Sequence, residues 1–353
     1  MKRIVVFALV LNAALLGVIA HQLVAIAGGE AVATENGDNN GDGSRDLSDA
    51  IYMLQWLFGG GPGPVEIESC GEQNARLEEL ERQLDECRGA GGGEPCPSLR
   101  VRKEITSMQP GERARFISTY LEAWNSPDGE LQELANSYTT FFSRGLHNNG
   151  AFLPWHRGYL LRVENILQSY EPGVTIPYWD WTRQPQINES PIWGSNDDQF
   201  SSNGDAQRCV QDGPFGFNTG FALTNGRCLE RRITGGSAAS PAEVDNLYAR
   251  FPLASNFDAF RNRLEHGPGL NDSVHCIVGG TMCSARASND PIFFLHHAQV
   301  DRIWAQWQST SPVHLDAYVG ITGRDELLPG LPFTPGELLD PGNLPGGVQV
   351  IYE

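Results

Sequence analysis

The sequence has no long basic stretch, and no run of consecutive lysine and arginine in it exceeds two residues. Its 25 basic side chains face 43 acidic ones, for a net charge of −18. An acidic chain without a basic stripe is a poor binder of nucleic acid or anionic membrane. The charge serves solubility. There is no H-E-x-x-H pattern, which excludes the zinc helix of that type. None of the seven cysteines has C-x-x-C spacing, which excludes a paired-cysteine zinc site. Carboxylates are also few around the histidine-bearing segments, with Glu164, Glu265 and Asp301 among them.

What is present bounds the rest. A chain of 353 residues with 40% apolar composition can bury one large domain beside a small module. Seven cysteines suit an oxidising compartment. Cys209 and Cys228 bracket a Gly/Asn-rich loop, and Cys276 with Cys283 is a second plausible pair. Cys70, Cys87 and Cys96 leave one thiol over. Lys2 and Arg3 precede an apolar run from Ile4, followed by small-x-small patterns at Ala25–Ala27 and Ala31–Ala33. That is an export signal over 1–33, with an uncleaved membrane anchor as the alternative. Secretion, or a periplasmic or cell-surface location, follows.

Residues 34–64 hold a calcium loop. Asp38, Asn40, Asp42, Asp46 and Asp49 stand at positions one, three, five, nine and twelve, and Ser44 at seven offers its backbone carbonyl. Gly43 at six allows the sharp turn, and Ala50–Phe58 reads as a helix. The segment resembles one half of a dockerin repeat, which implies one calcium ion and a docking partner. Residues 65–98 add a short helix with an apolar seam, suited to weak self-association through 34–88, and a Gly/Pro linker. From 99 to 353 the composition is that of a globular domain. Apolar spacing predicts helices at Phe116–Trp124, Leu131–Phe142, His156–Ser169 and His296–Gln308. Ser240-Pro241-Ala242-Glu243 is a capping box. The fold class is mainly α with long irregular loops.

Six of the eight histidines fall in pairs: His147 with His156, His266 with His275, and His296 with His297. His314 reads as a lone surface residue. Clustered imidazoles with few carboxylates favour an all-nitrogen copper site over a two-His-one-carboxylate iron site. The segment His147-Asn148-Asn149-Gly150-Ala151-Phe152-Leu153-Pro154-Trp155-His156-Arg157, continuing through Leu160 to Glu164, resembles the first copper signature of tyrosinases, catechol oxidases and haemocyanins. Asp290-Pro291-Ile292-Phe293-Phe294-Leu295-His296-His297, continuing to Asp301, resembles the second. The patches Ile176–Trp181 and His275–Gly280 are similar to others in the same family.

The resemblance implies an antiparallel four-helix bundle around a dicopper centre. It implies copper ligands at His147, His156, His275 and His297, with Glu265 near the family's water-orienting glutamate. It also implies a phenolic substrate oxidised to a quinone with dioxygen. His297 and Asp301 lie on one helix face, so Asp301 is an expected orienter of His297. Two family ligands have no counterpart. Residues 130–144 contain no histidine, leaving Gln132, Glu133, Asn136 and Tyr138 as donors, and the position four before His275 is Asn271. His266 is a candidate substitute. The rival reading is a degenerate, non-catalytic copper-binding relative.

Overall fold

The computed structural model describes residues 98–353. The export segment, the calcium loop and the short helix lie outside the described residues. Two strands close the domain end to end: β1 (Ser98–Arg102) pairs in parallel with β2 (Val348–Tyr352), Ser98 opposite Val348 and Arg102 opposite Tyr352. Between them run seven helices: α1 (Pro110–Trp124), α2 (Glu130–Phe141), α3 (Phe152–Tyr170), α4 (Pro241–Arg250), α5 (Phe257–His266), α6 (Asn271–Val278) and α7 (Ile292–Ser309). The domain is mainly helical, as its periodicity predicts, with long irregular stretches at 171–240 and 310–347.

Local sequence sets the helix ends. Pro110 opens α1, and Glu112 reaches back to the Gln109 N–H at 3.0 Å. Ser240 and Glu243 form the expected box at α4, with Glu243 Oε2 2.7 Å from the Ser240 N–H. The Ser126–Gly129 break separates α1 from α2, and Gly129 holds the left-handed φ of 67° that the turn requires. Helix α3 begins four residues before the predicted start. Pro154 sits inside its first turn, where the missing N–H costs nothing, so His156 is the fifth helical residue and not the first. Helix α7 likewise starts at Ile292, four residues before His296.

Helix α3 is the central element, buried without interruption from Phe152 to Leu161. It packs against α1, α2 and α7, and α6 bridges α5 and α7. Six tryptophans, Trp124, Trp155, Trp179, Trp181, Trp304 and Trp307, are fully buried around this frame. Buried charge fastens it. Arg157 on α3 binds Asp301 on α7 at 2.7 Å, donates to the Leu338 and Leu339 carbonyls, and stacks over Trp304 at 3.7 Å. Arg100 and Arg102 from β1 converge on Glu164 at 3.1 Å. Asp290 grips Arg231 through both oxygens and accepts from the Ile292 N–H at 3.1 Å, which seats the start of α7. The Ile176–Trp181 patch lies along α7: the Trp179 N–H meets the Leu295 carbonyl, and Asp180 accepts from Gln299.

Both predicted disulfides form, Cys209–Cys228 and Cys276–Cys283. His314 departs from its surface reading. It is buried, stacked on Trp307 at 4.2 Å and bonded to the Trp307 and Pro252 carbonyls.

Candidate metal centre

The loop between α2 and α3, the start of α3, and helices α6 and α7 bring His147, His156, His275 and His297 together. His156 lies 5.4 Å, ring to ring, from His147 and stacks on His297 at 4.1 Å. His275 and His297 rings are 5.2 Å apart. Three of the four are tethered through Nδ1 to a backbone carbonyl: His147 to Phe142 at 3.4 Å, His156 to Phe152 at 2.7 Å, and His275 to Met282 at 2.8 Å. A carbonyl accepts only from N–H, so each ring carries its proton on Nδ1 and a bare lone pair on Nε2. This is the tautomer that a metal-ligating imidazole needs.

The Nε2 atoms have little else to bind. His156 Nε2 is buried with no hydrogen-bond partner. His275 Nε2 and His297 Nε2 stand 3.1 Å apart. With metal–imidazole bonds of about 2.0–2.1 Å, two nitrogens on one tetrahedral ion lie about 3.3 Å apart. The donor chemistry and the spacing both fit a copper ion. Burial drives these imidazoles away from the charged form: His147 is pushed below its ordinary pKa, His275 down to about 4, and His156 and His297 well below the usual range. Neutral rings at physiological pH are what copper requires.

Of the four donors available on 130–144, the fold delivers one. Tyr138 is buried with its hydroxyl 3.4 Å from His147 Nε2, and its ring packs 4.9 Å from Phe293. Gln132 donates to the Trp124 carbonyl, and Asn136 pairs with Thr224. Asn271 stands on α6 as predicted, but turns its amide oxygen to His296 Nε2 at 2.9 Å. His266 does not stand in for the absent histidine. Its Nδ1 meets Asp272 at 2.7 Å and its Nε2 faces Glu265 at 3.5 Å, so both ring nitrogens point at carboxylates. The Pro268 bend, with Gly269 at φ 72°, ends α5 before it can carry His266 inward.

Asp301 does not orient His297. It is committed to Arg157, Arg102 and the Tyr352 hydroxyl, and His297 Nδ1 has no partner at all. Two buried guanidiniums outcompete a neutral ring for a carboxylate. Glu265 is fully buried beside the His147 loop. It accepts from the Asn148 N–H and from Arg261, both at 2.8 Å, and burial pushes its carboxyl pKa up. Asn148 adopts a left-handed φ of 62° to aim that N–H, a conformation asparagine tolerates better than most residues. Gly150 presses against the Val319 carbonyl, with no room for a side chain, and fixes the same loop.

A cavity of about 440 Å³ opens onto the centre, lined by Tyr138, Phe142, His147, Asn271, His275 and Met282 among others. Among the described residues, His275, His296 and His297 form a group whose ring nitrogens lie within 4.8 Å of one another. In the sequence His296 is distinguished only as the neighbour of His297. The pairing with Asn271 that draws it in is a contact between two helices, without a sequence signal.

Comparison with known proteins agrees with this geometry. Residues 121–310 match the family model described as the common central domain of tyrosinase. The tyrosinase of Streptomyces glaucescens is 34% identical over 271 residues, 69% of this chain and 96% of its own length. The tyrosinase of Streptomyces antibioticus is 35% identical over 238 residues, 61% of this chain and 85% of its own. The structure of a polyphenol oxidase from Thermothelomyces thermophila superposes with a TM-score of 0.58, covering 80% of this chain and 95% of that one, at 18% identity. Its likeness is one of fold. Four imidazoles brought together from four separate elements, three of them tethered to backbone carbonyls, and matches over half of the chain place this protein in the tyrosinase central-domain family.

Proposed function

We propose that this protein oxidises phenols or o-diphenols to quinones with dioxygen, using copper held by His147 and His156 on one side and His275 and His297 on the other. The observation that carries this reading is the 3.1 Å separation of the His275 and His297 Nε2 atoms, with the Nδ1 of His275 tied back to a carbonyl. When bound, copper supplies the electron transfer between phenol and dioxygen that no side chain here performs. The protein's own share is positional. The Phe142, Phe152 and Met282 carbonyls hold three rings in register. Phe142 and Met282 give the cavity apolar surface for an aromatic ring. Glu265, raised in pKa by burial, is assigned to orient a water and hold a proton beside the His147 loop.

Copper loading of the full chain, followed by metal analysis and a catechol assay, tests this. Two coppers per chain with quinone formation are expected. Absence of both returns the degenerate, non-catalytic reading. The disulfides suit the proposed export through 1–33, checked by N-terminal sequencing of the mature protein. The calcium loop and a docking partner for 34–64 belong to the same proposal, and calcium titration of the full chain tests the first.

A further inference from the structure

Asn271 occupies the α6 position, one helical turn before His275, at which the family places a copper ligand. We propose that His296 supplies the missing donor, so that the second copper is held by His275, His296 and His297. The inference rests on the copper reading above.

Three independent features meet at His296. The first is spacing. The ring centroids of His275, His296 and His297 are separated by 4.6, 5.0 and 5.2 Å. Three imidazoles on one tetrahedral ion, with bonds of about 2.0–2.1 Å, place their centroids about 5 Å apart. The second is the tautomer. Asn271 donates its amide N–H to Asp272 at 3.0 Å, which leaves its oxygen facing His296 Nε2 at 2.9 Å. An amide oxygen accepts, so His296 carries its proton on Nε2 and its lone pair on Nδ1. The third is burial. His296 is completely buried, and Nδ1 has no hydrogen-bond partner. Buried acceptors without a donor are uncommon, and a metal ion completes such an atom. His266, the other spare histidine, has both nitrogens at carboxylates.

Asn271 thus changes role without leaving the site. Instead of ligating, its amide oxygen accepts a hydrogen bond from the Nε2–H of the residue that does, as a carbonyl or carboxylate commonly does behind a metal-bound histidine.

Chelator competition on the copper-loaded full chain tests the assignment, using His296→Gln, Asn271→His and the double variant, with melting curves to confirm folding. His296→Gln is expected to weaken one of the two coppers by more than about 100-fold, beyond the 10–100-fold of a residue that only orients a ligand. In the Asn271→His background the same substitution is expected to cost less than about tenfold, because the histidine at 271 restores the third donor. A loss below about 100-fold in the parent, or an equal loss in both backgrounds, overturns the proposal. If His296→Gln fails to fold, the nitrogen hyperfine pattern of copper(II) in His156→Ala, which keeps only the second site, decides: three coupled nitrogens support it and two overturn it. A parent that binds two coppers and oxidises catechol while His296→Gln keeps both overturns this inference alone. A parent that binds no copper overturns the family activity with it.

Discussion

Residue chemistry at the centre is governed by burial. Every imidazole there loses its charged form to desolvation, with His275 held down to about 4. The unfolded rings titrate near their ordinary 6.5. Below that value the unfolded chain binds protons that the folded apoprotein refuses, so stability is present above pH 6.5 and is lost as the pH falls toward the folded pKa values. The melting temperature of the apoprotein is expected to drop steeply between pH 6.5 and 4, and a His275→Phe variant to flatten part of that slope. Glu265 follows the same physics with the opposite charge. Burial favours its protonated form, and the Asn148 and Arg261 donors oppose that. Glu265→Gln keeps the size and removes the proton-holding group. Catechol turnover is expected to fall by about 10²-fold, the lower end for a lost acid–base group, with copper content unchanged in metal analysis.

Helices carry these residues, and the α3–α7 pair carries most of them. Arg157, one residue beyond His156, is the bolt between them. It is fully buried and spends its donors on Asp301, Gln308 and two carbonyls of the C-terminal segment. Arg157→Leu leaves Asp301 in the interior with one cation fewer. Removing one partner of a buried pair costs about 3–5 kcal/mol, so denaturant unfolding is expected to show a loss of that order. The copper signatures are therefore partly structural. Arg157, Asp290 and Asp301 appear in them as assembly residues, and Asp301 holds arginines where the helix-face argument had given it a histidine.

Across the molecule, the two disulfides do different jobs. Cys276–Cys283 closes the turn after α6, and Met282 within that turn offers the carbonyl that orients His275. Cys209–Cys228 pins a loop of the 171–240 stretch. Replacing Cys276 and Cys283 with serine is expected to weaken copper binding by about tenfold in chelator competition, as loss of an orienting contact does. The same change at Cys209 and Cys228 is expected to cost about 2–4 kcal/mol in unfolding and leave copper affinity alone.

The helical class, the four imidazoles, both disulfides and the α4 capping box were legible in the sequence. Each depends on local spacing, and spacing survives folding. Helix starts at α3 and α7 were misplaced by four residues, because a proline in the first turn reads as a loop signal while the helix passes through it. Contacts between separate elements left no such mark. Whether Tyr138 or Gln132 approaches His147, whether His266 or His296 joins His275, and which partner takes Asp301 depend on distances between helices that no single segment encodes. Only the packing of α6 against α7 turned Asn271 toward His296, and only the Gly267-Pro268-Gly269 bend kept His266 at the edge. The sequence by itself determined the family and the four histidines that the fold brings together; the tertiary structure decided which side chains stand nearest them where two histidines are missing, because distances between helices are set by packing and not by spacing along the chain.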